Sequence, residues 1–136
     1  MRLVSTVLVA FFLCCVFVSW QQKPAPPGEK VYKQYCLSCH MADGGGVPHL
    51  NPPLDGSSLV NKNDQQSTQK LIQIVLKGMT DRVPIDGEYY SNNMAAHAHL
   101  SNQEIADVLT YIRSTWQNKA SAISAKEVAQ MRKKLL

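Results

Sequence analysis

The chain has 136 residues, with 14 Lys plus Arg against 10 Asp plus Glu, for a formal charge of +4. That length supports one domain, and the small, dispersed basic excess excludes a nucleic-acid footprint. With 45% apolar and 18% charged residues, a disordered polyelectrolyte is excluded too. The averages conceal two asymmetries. All three Phe and Trp20 lie in the first twenty residues, and beyond them the aromatic side chains are five Tyr and Trp116. Residues 28–116 carry seven basic and nine acidic side chains, a net of −2. The basic excess belongs to Arg2, Lys23 and a tail holding Lys119, Lys126, Arg132, Lys133 and Lys134 against Glu127. A domain without Phe is either weakly packed or filled by something other than side chains.

In chain order, Leu3 to Trp20 is an 18-residue run without charge, preceded by Arg2. It reads as an export signal or a membrane anchor over residues 1–21. Its length is short for a membrane span and long for a signal core. Gln21-Gln22-Lys23 offers no small-residue cleavage site, and Cys14-Cys15 follows bulky Phe12-Leu13, a poor context for lipidation. Retained anchor, cleaved signal and lipoprotein all put the remainder outside the cytoplasm. The proline-rich stretch within residues 22–27 reads as a tether, which in polyproline II geometry spans about 15 Å.

A helix is expected from about Gly28 to Cys39, with Pro27 in its first turn and Gly28, Val31, Tyr32 and Tyr35 on overlapping faces. From Met41 to about Ser67, three consecutive glycines and several prolines forbid regular structure. Leu71, Ile72, Val75 and Leu76 stripe a second helix ended by Gly78. After a second loop, Ser101-Asn-Gln-Glu104 forms a capping box, and Ile105, Val108, Leu109, Ile112 and Trp116 mark the buried face of a third helix. Ser124-Ala-Lys-Glu127 is another capping box, and Val128, Met131 and Leu135 stripe a last helix. The expected class is all-α: three core helices plus an extra C-terminal helix. The domain is expected over 28–118 and a basic extension over 119–136.

Outside the leader the only cysteines are Cys36 and Cys39, and His40 follows at once. Cys-x-x-Cys-His is the signature of covalent c-type haem attachment. Two thiols one helical turn apart can each form a thioether with one vinyl group, and the next residue can then reach the iron. A zinc-binding module would need Cys36, Cys39 and a histidine such as His49 or His97, plus a fourth ligand, and would leave His40 unused. A redox disulfide belongs at a strand end, and no strand pattern is present. One haem c would also supply the flat apolar body that the domain lacks. Candidates for a second axial ligand are Met41, His49, Met79, Met94, His97 and His99. Met41 adjoins His40, His49 lies in the loop leaving it, and Met79 sits at a helix end as packing. Met94, just before the capped helix, can swing over the distal face.

Over most of residues 28–116 the sequence resembles the class I cytochromes c, especially small bacterial monohaem cytochromes and cytochrome subunits of membrane-bound dehydrogenases. The stretches Ile74-Val-Leu-Lys-Gly78, Gly87-Glu-Tyr-Tyr, Met94-Ala-Ala and Leu100 to Trp116 carry it. The resemblance implies axial ligation by His40 and Met94, and a helix crossing of Gly28 and Tyr32 against Val108 and Tyr111. It assigns Pro52 and Leu54 to the family's Pro-x-Leu segment, with the Pro52 carbonyl accepting from the His40 ring. Tyr32, Pro52 and Leu54 join Cys36 and Cys39 as expected cofactor-binding residues. Ala95 departs from the family's usual proline after the ligand, which leaves a histidine ligand or a labile distal position, as in a haem sensor or enzyme, as alternatives. The expected function is a one-electron carrier, not an enzyme. Its partners would be redox proteins, a dehydrogenase or terminal oxidase, on the periplasmic side, with membrane anchoring possible and no nucleic acid.

Overall fold

A computed structural model describes residues 25–136. The leader and the first half of the tether, residues 22–24, lie outside the described residues. Six helices follow: α1 Pro27–Tyr35, α2 Leu37–His40, α3 Ser58–Asn61, α4 Gln65–Lys77, α5 Asn102–Ser114 and α6 Ala125–Leu135. Extended pairing among the described residues is confined to three isolated bridges, Val47 with Asn51, Met79 with Met94 and Ile85 with Glu88. None of the described helices is long and apolar enough to cross a membrane.

Both expected capping boxes form. Ser101 accepts from the Glu104 amide while Glu104 bonds back to the Ser101 amide, and Ser124 and Glu127 repeat the arrangement. Each box satisfies donors that a helix start would otherwise leave unpaired. Gly78 caps α4, as the sequence suggests, and Asp64 caps its start by accepting from Ser67. Three expectations need correction. The first helix does not run unbroken to Cys39: it ends at Tyr35, and Cys36 joins it to the separate turn α2. The loop after Met41 contains α3, and α4 begins at Gln65, before the expected end of that loop. Trp116 lies beyond α5 with φ +56°, and its indole N–H donates to the Ala42 carbonyl across 3.1 Å.

α1 crosses α5 at very short range. A Cβ on Gly28 would sit 2.0 Å from the Asp107 carbonyl oxygen and 2.6 Å from the Tyr111 Cβ, so no side chain larger than hydrogen fits. Tyr32 packs one turn further on, its ring 5.5 Å from Tyr111 and 5.4 Å from Trp116. The buried core is otherwise aliphatic. Ile72, Ile105 and Val128 are fully buried, joined by Leu76, Val108 and Leu109. Each such side chain contributes about 1.5–3 kcal/mol relative to exposure.

Residues 119–136 share this core. Ile123, Val128 and Met131 belong to its buried cluster, and α6 packs on α4 and α5. The buried Arg113 ties the segments together, donating to the Ser121 and Val60 carbonyls and to the Asn63 side chain. Asn118, also buried, accepts from the Gly56 amide and the Asn61 side chain and donates to the Leu54 and Ile112 carbonyls.

Candidate haem site

The break at Cys36 shapes the attachment motif. The His40 and Cys39 amides both donate to the Cys36 carbonyl, at 2.9 and 3.1 Å, so the two cysteines lie one tight turn apart. Neither is disulfide-bonded; Cys36 is half-buried and Cys39 exposed. Burial pushes the Cys36 thiol up to about 11, with a smaller contribution from Cys39, so it stays protonated near neutrality. Met41 then turns the chain with φ +61°, and the Tyr32 hydroxyl donates to its carbonyl across 2.7 Å. Desolvation raises the Tyr32 phenol far above its ordinary range.

His40 is buried, and its Nδ1 lies 3.0 Å from the Pro52 carbonyl oxygen. A carbonyl only accepts, so Nδ1 carries the hydrogen and Nε2 is left with the free lone pair. Burial lowers the His40 pKa, which favours the neutral ring, and the Pro52 bond partly opposes that shift.

On the other side of the sequence, Met94 is fixed through its backbone. Its amide donates to Met79 and its carbonyl accepts from Met79, at 2.9 and 3.0 Å. Gly78 makes this approach possible: its φ is +72°, and a Cβ there would sit 2.3 Å from the Met94 carbonyl oxygen. The His97 amide donates to the Val75 carbonyl, which fastens the loop again.

These segments enclose a cavity of about 360 Å³, within the ~300–1,000 Å³ range of cofactor sites. Cys36, Cys39, His40, Pro52, Leu54 and Met94, all singled out in the sequence, line it together. Its remaining wall is largely aliphatic, with Leu71, Val75, Leu109 and Ile112 among the lining residues. Tyr32, expected among the cofactor-binding residues, does not line it; it packs behind the motif in the helix crossing. Met79 and His97 do line it. Met79 was expected only as packing, and its pairing with Met94 depends on tertiary structure that side-chain periodicity does not report.

The donor set of two thiols, an imidazole and thioethers in an apolar enclosure fits a covalently attached haem. Among the described residues, no group of three or more His, Cys, Asp or Glu side chains is placed to hold a metal ion, as a zinc module would require.

The Cytochrome c family model matches residues 25–116. The chain belongs to the cytochrome c family. This cytochrome is 32% identical over 114 residues to cytochrome c-552 of Thermus thermophilus, covering 80% of this chain and 86% of that one. It is 34% identical over 115 residues to the cytochrome c subunit of the quinone alcohol dehydrogenase of Gluconacetobacter polyoxogenes, but spans 22% of that subunit. With the gluconate 2-dehydrogenase cytochrome c subunit of Pantoea cypripedii it shares 33% identity over 117 residues, 26% of that subunit. Membership makes it an all-α electron-transfer protein with covalently attached haem c rather than an enzyme in its own right.

Proposed function

We propose that this cytochrome is a monohaem one-electron carrier with His40 and Met94 as axial ligands and Cys36 and Cys39 as thioether anchors. The observation that carries this reading is the meeting of those four residues in one aliphatic cavity, with the His40 ring held by Pro52. When bound, the haem supplies an Fe(III)/Fe(II) couple that gains and loses one electron. The chain's own contributions are positional and electrostatic. The Pro52 bond holds the His40 ring in one tautomer and orientation and strengthens Nε2 as a ligand. The Met94 thioether is a soft donor that favours the reduced ion, and the aliphatic wall disfavours the extra charge of the oxidised one; both raise the potential. Leu54 and the aliphatic side chains exclude water. The Met79–Met94 pairing and the His40–Pro52 bond keep both ligand segments in place between states, which keeps reorganisation small.

The partners we infer are redox proteins outside the cytoplasm, either a dehydrogenase or a terminal oxidase. Two of the similar proteins are dehydrogenase cytochrome subunits, and the uncharged run after Arg2 is the export feature. Encounters between such redox proteins are small and transient.

Absorption spectroscopy tests the ligation. The reduced protein should show sharp c-type bands, and the haem should remain on the polypeptide after denaturation, since it is covalent. The oxidised protein should show the weak far-red iron–sulfur band, and Met94→Ala should abolish it. A second reading, with His97 as the distal ligand, is favoured by its position in the cavity wall. In that case the band is missing from the unmodified protein, and His97→Ala, not Met94→Ala, opens the iron to carbon monoxide.

A further inference from the structure

The C-terminal helix α6 lies outside the residues that the family model matches. Its basic side chains suggest a patch for an acidic partner or an anionic lipid. Arg132 does not fit that use. Its guanidinium points into the domain and spends three donors there: Nε on the Asn102 side chain at 2.8 Å, and its two terminal nitrogens on the Ala98 and Leu100 carbonyls at 2.7 and 2.6 Å. All three acceptors are neutral, and the single salt bridge among the described residues joins Lys33 to Glu29 instead.

The three acceptors lie where the loop carrying Met94 enters α5. Upstream, that loop is held at Met94 by Met79 and at His97 by the Val75 carbonyl. Ala95 and Ala96 between them are exposed and bring no side-chain bond of their own. Leu100 lines the cavity and is buried. Downstream of His97 the Leu100 amide donates to the His97 carbonyl at 3.1 Å and the Ser101–Glu104 box starts α5, while the bonds that tie this stretch to another helix are those from Arg132, charge-assisted and stronger than neutral ones.

We infer that Arg132 is a positioning residue for the distal ligand: α6 holds the 98–102 segment, and that segment holds Met94 over the iron. The inference rests on Met94 being the ligand. A thioether binds oxidised iron weakly, so the residence of Met94 depends on how firmly its loop is anchored at both ends. Removing Arg132 should therefore weaken ligation before it unfolds the domain.

The test uses the full-length holoprotein with Arg132→Met, which keeps the aliphatic stem and removes all three donors. Helix content from far-ultraviolet circular dichroism and the far-red band of the oxidised form are followed along one urea titration. In the unmodified protein the two should be lost together. In Arg132→Met the band should fade first, with the ligand-detached fraction raised on the order of tenfold where the helices are still intact. The reduced variant should also bind carbon monoxide more readily, and Arg132→Lys should restore part of the band's resistance. Band and helix signals lost together in Arg132→Met, even at lower urea, would overturn the inference and leave Arg132 a purely structural residue. Should Arg132→Met yield no folded holoprotein, Arg132→Lys carries the same comparison with the same two outcomes. Met94→Ala separates the two levels. A band that persists there removes the ligand assignment, whereas a band lost there but unaffected by both Arg132 variants removes only the role of Arg132.

Discussion

The crossing of α1 and α5 and the loops around the cavity are held together differently. At the crossing, Gly28, Tyr32, Asp107 and Tyr111 meet at van der Waals distance, and the chain's own atoms complete the packing. The loops, residues 41–57 and 78–101, are held by scattered backbone bonds such as Met79 with Met94 and Leu54 with Gly44, and they border a cavity of about 360 Å³. The crossing is therefore a property of the polypeptide, whereas the loops, and the faces of α4 and α5 that border the same cavity, are completed by the cofactor.

The strongest way to break this comparison is to prevent attachment. A Cys36→Ala/Cys39→Ala chain, purified without haem, leaves the 360 Å³ cavity unfilled. The aliphatic wall is then left to water, and the lost burial is on the order of several kcal/mol, a large part of a small domain's stability. Its thermal transition should lose cooperativity by calorimetry. Next comes Gly28→Val. Its Cβ would strike the Asp107 carbonyl, and it should destabilise the holoprotein by about 3 kcal/mol in urea denaturation while leaving the haem spectrum of the folded fraction unchanged. Gly78→Ala should differ in what it reports. Forcing a side chain onto a φ of +72° against the Met94 carbonyl should cost a comparable ~3 kcal/mol of global stability and, unlike Gly28→Val, also diminish the far-red band of the oxidised form.

The smallest effect concerns the caps. Serine hydrogen bonds hold Glu104 and Glu127 below the usual carboxylate range, and Ser67 does the same for Asp64. The folded state therefore binds their protons less readily than the unfolded chain. The stabilisation is fully present above the ordinary carboxylate pKa of about 4 and is lost as pH falls through the lower folded values. The thermal midpoint of the holoprotein should drop in acid, and Ser101→Ala with Ser124→Ala should make that drop shallower.

Much of this was legible in the sequence because it depends on near neighbours. The capping boxes need three-residue spacings, the attachment motif five consecutive residues, and the Gly78 cap one glycine after an apolar stripe. The Pro52 carbonyl's role came from the family resemblance, and the 3.0 Å contact with His40 agrees with it. The features that were missed depend on residues far apart in sequence. Trp116 continues the α5 stripe but leaves the helix because its indole finds Ala42. Asn118 reads as an ordinary loop residue, yet it is buried with four hydrogen bonds to three segments. Arg113 did leave a trace: it stands four residues after Leu109 on the buried face, where a charged residue must find partners or unfold the helix.

The contact between Gly28 and Asp107 joins the first described helix to one near the end of the fold. Forming it closes residues 28–107 into a single loop, a large entropic step before any local packing repays it. The refolding rate of this cytochrome should therefore depend strongly on that encounter. Substitutions at Gly28 should slow refolding, while those in the loop carrying Met94 should chiefly hasten unfolding.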